Sequence, residues 1–318
     1  MTALTAQPRG RSGLLTSRLT ILLFLAPASI LFVLFVLIPV AQAIHYSFYD
    51  WNGLGPLDKF VGLDNFKSAI ASDVFRTSVS NNLLLVALSL LIQIPFSLSL
   101  AMLLNRRFPG RAIFRLIFFL PYVLSEAITG VIFRLLLQPD AAIDSSLKAI
   151  GGGGFIQDWL GDPGFVMITL FVIISWKYFG FHLIILLAGL QGIPREIEEA
   201  ALIDGAGRWQ AFRYITLPLL GPTIRVSVFL SIIGALQLFD LVFVITGGGP
   251  ITMGPSGATV DSSSTMAFMM FKTGFQQQSM GYGSAIAVLL FMFCFVVALG
   301  YQRLVLRRDV EGALTQIG

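Results

Sequence analysis

Along this chain, apolar runs as long as a bilayer is thick alternate with short polar segments. From Leu19 to Tyr49, Thr77 to Asn105 and Thr273 to Gln302 there is no Asp, Glu, Lys or Arg. A hydrocarbon core of about 30 Å needs roughly 20 apolar residues per helix, so each run predicts a span. Three more apolar stretches carry a few charges: Ile113 to Leu137 with Arg115, Glu126 and Arg134, Gly164 to Leu190 with Lys177, and Gly221 to Ile245 with Arg225 and Asp240. No alternating strand pattern supports a barrel, and open backbone is too costly in lipid, so the pattern predicts an all-α membrane protein with six transmembrane helices.

Composition narrows the class. The 318 residues are 56% hydrophobic and 12% charged, with a mean hydropathy of +0.83, against about 25% charged in soluble domains. Cys294 is the single cysteine and His45 and His182 the only histidines, which leaves no disulfide framework and no set of metal ligands. Ala41-Gln42-Ala43 resembles a signal-peptidase site, but the apolar run before it is far longer than the 7 to 15 residues of a signal core, so it reads as a retained helix.

Basic residues set the orientation. One side holds Arg9, Arg11 and Arg18, then Arg106, Arg107, Arg111 and Arg115, then Arg195, Arg208, Arg213 and Arg225, then Arg303, Arg307 and Arg308, fourteen in all. The other holds Lys59, Lys67, Arg76, Lys148 and Lys272, only five. Positive residues collect on the cytoplasmic side, so both termini are expected there: a tail over 1–18, a six-helix domain over 19–306 with a cytoplasmic loop over 191–220, and a tail over 307–318.

That loop is too long for a turn and predicts two short helices. Pro194 suits a first helical position, Glu196, Glu198 and Glu199 suit the positive end of a helix dipole, and Gly205 suits the stop. Within Pro194 to Ile203, Ile197, Ala200 and Ala201 fall on one narrow apolar face. Taken alone, such a helix lies on the membrane surface.

The run Glu199-Ala200-Ala201, then Asp204-Gly205-Ala206 and Thr216-Leu217-Pro218, resembles the EAA loop of permease subunits of binding-protein-dependent ABC importers. Trp176-Lys177, Ala188-Gly189-Leu190-Gln191, Phe239-Asp240, Thr246-Gly247-Gly248-Gly249-Pro250 and Gly281-Tyr282 extend the resemblance to the sugar-importer branch, over about Phe32 to Arg303. One departure is the stretch from Ile251 to Ser263, longer than that pattern. The resemblance implies the type I ABC importer permease fold in a bacterial cytoplasmic (inner) membrane, and a loop that couples to an ATPase through Glu199, Ala200, Ala201, Asp204 and Gly205. It also implies a second homologous permease, two ATPase subunits, an extracytoplasmic solute-binding protein and a sugar, mono- or oligosaccharide, as substrate. This chain is then no enzyme and binds no cofactor or nucleic acid; ATP and Mg belong to the ATPase subunits. No Gly-Lys dipeptide occurs, so no Walker A loop is present in this chain.

Ionisable groups inside spans are expensive and face a partner or a water-filled cavity. Glu126 and Lys177 therefore either pair, with each other or with the partner permease, or line the substrate path. Tyr122, Trp176, Phe179 and Tyr178 lie at similar depth, where rings either pack helices together or receive the C–H faces of a sugar. Asp240, nearer the outer end, caps a helix or binds substrate. The expected path is thus Tyr122, Glu126, Trp176, Lys177, Phe179 and Asp240. Three alternatives remain: a glycerol-phosphate importer of the same branch, an ion-driven secondary transporter, whose inverted repeats are not visible, and an intramembrane protease. For the last, Gly254-Pro255-Ser256-Gly257 supplies a serine, but no histidine follows His182 to act as base.

Overall fold

The computed structural model describes residues 12–106 and 108–306. Arg9, Arg11, Arg107, Arg307 and Arg308 of the charge count, most of the 1–18 tail and the tail over 307–318 lie outside the described residues. The first apolar helix is already in place from Ser12, so the expected boundary at residue 18 is not a break in structure.

Among the described residues, four helices are long and apolar enough to cross a membrane: α1 (Thr20–Tyr46), α2 (Asp73–Asn105), Val166–Gln191 and Met280–Tyr301. Two further crossings are bent pairs. The third expected span is α3 (Arg111–Val123) followed by α4 (Glu126–Leu136), bent by 93°. After Val166–Gln191, here α5, the cytoplasmic loop forms α6 (Arg195–Ile203) and α7 (Arg208–Leu219), and α7 turns by 66° into α8 (Gly221–Leu236). Four straight helices and two bent pairs account for the six spans.

The expected continuous spans over 113–137 and 221–245 are therefore corrected. The third breaks at Leu124 and Ser125, whose backbone is extended. Pro121, one turn earlier, has no N–H to keep the helical ladder going. Ser125 restarts the helix, its Oγ accepting from Ile128 N at 3.2 Å. The fifth breaks after α8, and a short α9 (Asp240–Ile245) follows. The sixth begins as α10 (Met266–Phe271), and only α11 (Met280–Tyr301) is a full crossing, in place of the expected start at Thr273.

Between α9 and α10 the stretch from Ile251 to Ser263 is a β-hairpin, β1 (Ile251–Met253) against antiparallel β2 (Thr259–Asp261), with Gly254 to Gly257 at its tip. It is pinned down. Asp73 at the start of α2 accepts from both Ser256 N (2.7 Å) and Ser256 Oγ (2.5 Å), and Lys272 pairs with Asp261 at 2.5 Å. Ser256 is thus a hairpin anchor with a carboxylate for a partner. Beyond the hairpin, Ser262 to Thr265 runs buried into the bundle. Asn81 of α2 donates to Ser262 O and Ser264 O, both at 2.8 Å, and Ser78 bonds Ser264.

The core gathers on α5. Leu170, Ile173, Leu241, Val242 and Phe268 form one buried cluster, and Ala101, Leu104, Leu183, Leu186 and Leu220 another nearer the cytoplasmic loop. The helices approach closely where side chains vanish. A Cβ on Gly180 of α5 would lie 2.0 Å from the Phe118 carbonyl oxygen of α3. In contrast, no residue of α1 is buried by the rest of the chain.

Gly180→Ala is expected to force α3 off α5 and to lower stability by about 1–3 kcal/mol, the usual cost of overpacking. Gly300→Ala, where nothing stands within 4 Å, is expected to be neutral or slightly stabilising. Thermal unfolding of the detergent-solubilised protein compares the two.

Candidate functional site

The site is built around the break between α3 and α4. A helix that ends inside a membrane leaves carbonyls without partners, and one that begins there leaves N–H groups, and neither can turn to water. Two consecutive residues of α5 face this break. Lys177, 2% exposed, donates from Nζ to the Leu124 carbonyl oxygen at 2.5 Å, placing a cation at the negative end of the α3 dipole. Tyr178 donates its hydroxyl to Glu126 Oε1, and Glu126 is the first residue of α4, at the positive end of that dipole. The direct Glu126–Lys177 pair that the sequence suggested is not formed: each group has its own partner across the break.

The other charges of this span are Arg115, whose Nε is buried without a hydrogen-bond partner among the described residues, and Arg134. Arg115 donates to the Leu104 carbonyl oxygen at the end of α2 (3.2 Å), and Arg134 lies in the last turn of α4, where a cation suits the dipole.

The break between α8 and α9 is handled in the same way by neutral groups. Asn82 of α2 donates to Ala235 O (2.7 Å) and Leu236 O (3.2 Å), while its Oδ1 accepts from Met266 N (2.9 Å). Thr265 Oγ1 donates to Leu238 O at 2.7 Å. One asparagine therefore joins α2, the end of α8 and the start of α10. Past this break Asp240 opens α9, as Glu126 opens α4, and the two carboxyl groups adjoin each other. The half-helices pack side by side, with Gly130 of α4 against Val244 of α9.

Next to this cluster a cavity of about 200 Å³ opens between α2, α3, α5 and α8. Its polar lining is Ser89 and Gln93 from α2, Tyr122 from α3, Tyr178 and His182 from α5, and Ser231 from α8. Tyr122 stacks on Phe181 with ring centroids 4.9 Å apart, and His182 Nδ1 shares a hydrogen bond with Ser227 Oγ at 2.8 Å. The lining can both donate and accept hydrogen bonds beside a flat aromatic surface, which suits an uncharged ring bearing hydroxyls.

Of the six residues expected on the path, Tyr122 alone lines the cavity; Glu126, bonded to the lining residue Tyr178, adjoins Asp240, and Lys177 stands at the break. Trp176 packs on Phe133 and Phe179 on Phe96 and Phe118, both away from the cavity. Neither lines the cavity, to which α5 contributes Ile174, Tyr178, Phe181 and His182. Tyr178 was named among the rings at this depth but left off the expected path, and Gln93, Ser89, His182 and Ser231 were not placed on it. The signal that could have found them is the recurrence of Tyr178 and His182 four residues apart on one face of α5, and of Ser89 and Gln93 likewise on α2.

In the cytoplasmic loop, α6 ends as the sequence predicts. Gly205 has φ +85°, its N–H donates to Leu202 O (3.2 Å), and Ala206 N–H donates to Ala201 O (2.9 Å), a Schellman stop. Of the face formed by Ile197, Ala200 and Ala201, Ala201 is buried within this chain and Ile197 and Ala200 are exposed, while the half-buried Glu198 shares the inward side with Ala201. Glu199, Asp204 and Gly205 are exposed with Ala200.

The whole arrangement matches known proteins. The family of inner membrane components of binding-protein-dependent transport systems matches over residues 93–310, and this chain belongs to it. A probable ABC transporter permease protein of Pyrococcus horikoshii is 38% identical over 283 residues, covering 88% of this chain and 94% of the relative. The sulfoquinovosyl glycerol transport system permease protein SmoG of Agrobacterium fabrum is 33% identical over 297 residues, covering 93% of each. The fold is shared with a bacterial ABC transporter involved in import of the acidic polysaccharide alginate, at a TM-score of 0.76 and 23% identity over 92% of this chain and 96% of that one. The chain is thus a permease of the type I fold, an integral protein of the inner membrane.

The geometry makes Tyr178 the partner of Glu126. In a double-mutant cycle on thermal stability, Tyr178→Phe and Glu126→Leu are expected to be non-additive by about 0.5–3 kcal/mol. The cycle of Lys177→Met with Glu126→Leu is expected to give a smaller coupling, because Lys177 holds a backbone carbonyl.

Proposed function

We propose that this chain is one permease subunit of an ATP-driven importer of a sugar, and that it works with a second homologous permease, two ATPase subunits and an extracytoplasmic solute-binding protein. The observation that carries the reading is the polar, ring-lined cavity beside two broken spans in a chain of this family. Tyr122, with Tyr178, offers a ring face and hydroxyls; Glu126 and Asp240 offer acceptors for sugar hydroxyls. Trp176, Lys177 and Phe179 support this surface from behind. Two carboxylates on the path repel a phosphate, which disfavours a glycerol-phosphate substrate.

The partners are supported by surfaces that this chain leaves open. Helix α1, unburied by its own chain, suits packing against a second permease. The exposed side of α6, with Glu199, Ala200, Asp204 and Gly205, suits docking on an ATPase, where small side chains permit close approach. ATP and Mg are held by those ATPase subunits. The excess of basic residues on one side supports a cytoplasmic location for both termini. Closure of the ATPase pair then moves α6, and the bundles rock to open the cavity to each side in turn.

Four outcomes are expected. Vesicles containing the complex take up sugar only with ATP inside, and a collapsed ion gradient leaves uptake intact; the reverse result assigns the chain to ion-driven transport. Gly205→Leu abolishes uptake while the protein still reaches the membrane. The space around Gly205 is open within this chain, so Asn, which tolerates positive φ, should retain more activity than Leu. Glu199→Lys weakens pull-down of the ATPase. A reporter active only in the cytoplasm is active when fused after Arg308 and inactive at Gly152.

A further inference from the structure

We infer that Glu198 is a positioning residue for coupling: through Thr216 it ties the loop helix α6 to the base of the fifth span. This rests on the coupling reading above and adds how the movement leaves the loop. Glu198 Oε1 accepts a hydrogen bond from Thr216 Oγ1 at 2.9 Å, across 18 residues of chain. Thr216 is buried, sits at the end of a widened helical turn over Phe212–Thr216, and is followed directly by Leu217-Pro218 and then α8.

The tether matters because little else holds α6. Cavities of about 780 and 460 Å³ adjoin the helix, and both are lined by Glu198 and Leu202. Of its nine residues only Ala201 is buried. The chain continues through Gly205 and Gly207, whose backbone rotates at little cost, so a push on α6 would be absorbed there as rotation. A hydrogen bond to a carboxylate is among the stronger ones and links the two elements directly. Adjacent glutamates thus divide the work: Glu199 faces outward for the ATPase, and Glu198 faces inward to the span that leads to Asp240.

The experiment uses the complete complex in proteoliposomes with ATPase subunits, binding protein and sugar, reading uptake, ATP hydrolysis and ATPase pull-down together. E198A and T216V are expected to keep the ATPase bound and hydrolysing, while sugar transported per ATP falls about tenfold or more, in line with loss of a hydrogen bond to a charged group. T216S, which restores the hydroxyl, and E198Q, which keeps an acceptor oxygen, are expected to recover most of that ratio. The double variant should be no worse than either single one. An unchanged ratio in E198A and T216V overturns the proposal, as does loss of pull-down in both, which would make the bond a feature of docking or folding alone. T216V decides the matter if E198A fails to accumulate. A wild-type complex that binds no ATPase overturns the coupling reading itself.

Discussion

The constraint behind this structure is that a helix cannot stop inside a membrane unless its last carbonyls and first N–H groups find partners. Here the third span stops and restarts at 93°, and Lys177 and Tyr178, adjacent on α5, face its two sides. A buried lysine that would be costly alone becomes the cap of α3, and a half-buried glutamate becomes the first residue of α4 with a hydroxyl to bond. Because α5 is the most buried of the long helices, both groups stand on a firm support.

The fifth span repeats the solution with uncharged groups, Asn82 and Thr265 serving the carbonyls that α8 leaves open. The two breaks bring two acidic helix starts, Glu126 and Asp240, together, and the polar cavity lies beside them. Straight helices packed by leucine would present no such place. The breaks that complicate folding are therefore also what exposes hydrogen-bonding groups in an apolar slab.

Elsewhere the chain is unfinished by itself. The first helix is unburied, and α6 stands between two cavities with most of its surface free. Both features fit a subunit of a larger assembly. By contrast the hairpin, where the sequence departs from the pattern it resembles, is tied to α2 by Asp73 and to the segment before α11 by Lys272, so its shape is set within this chain.

The sequence by itself determined the class, the six crossings, the two-helix loop and its stop at Gly205, because these follow from run length, charge placement and local backbone preference, all of which are properties of neighbours in the chain. It also marked Tyr122, Glu126, Lys177 and Asp240, since charges and hydroxylated rings in apolar runs stand out. The tertiary structure alone decided where the third and fifth spans break, that Lys177 serves Leu124 and leaves Glu126 to Tyr178, that Trp176 and Phe179 turn away, and that Glu198 shares the inward side of α6 with Ala201. The physical reason is that each of these depends on which element stands opposite. A hydrophobic run shows that a helix must be buried, but the partners of its polar groups are supplied by residues far away in the chain, 53 positions for Lys177 and Leu124 and 181 for Asn81 and Ser262.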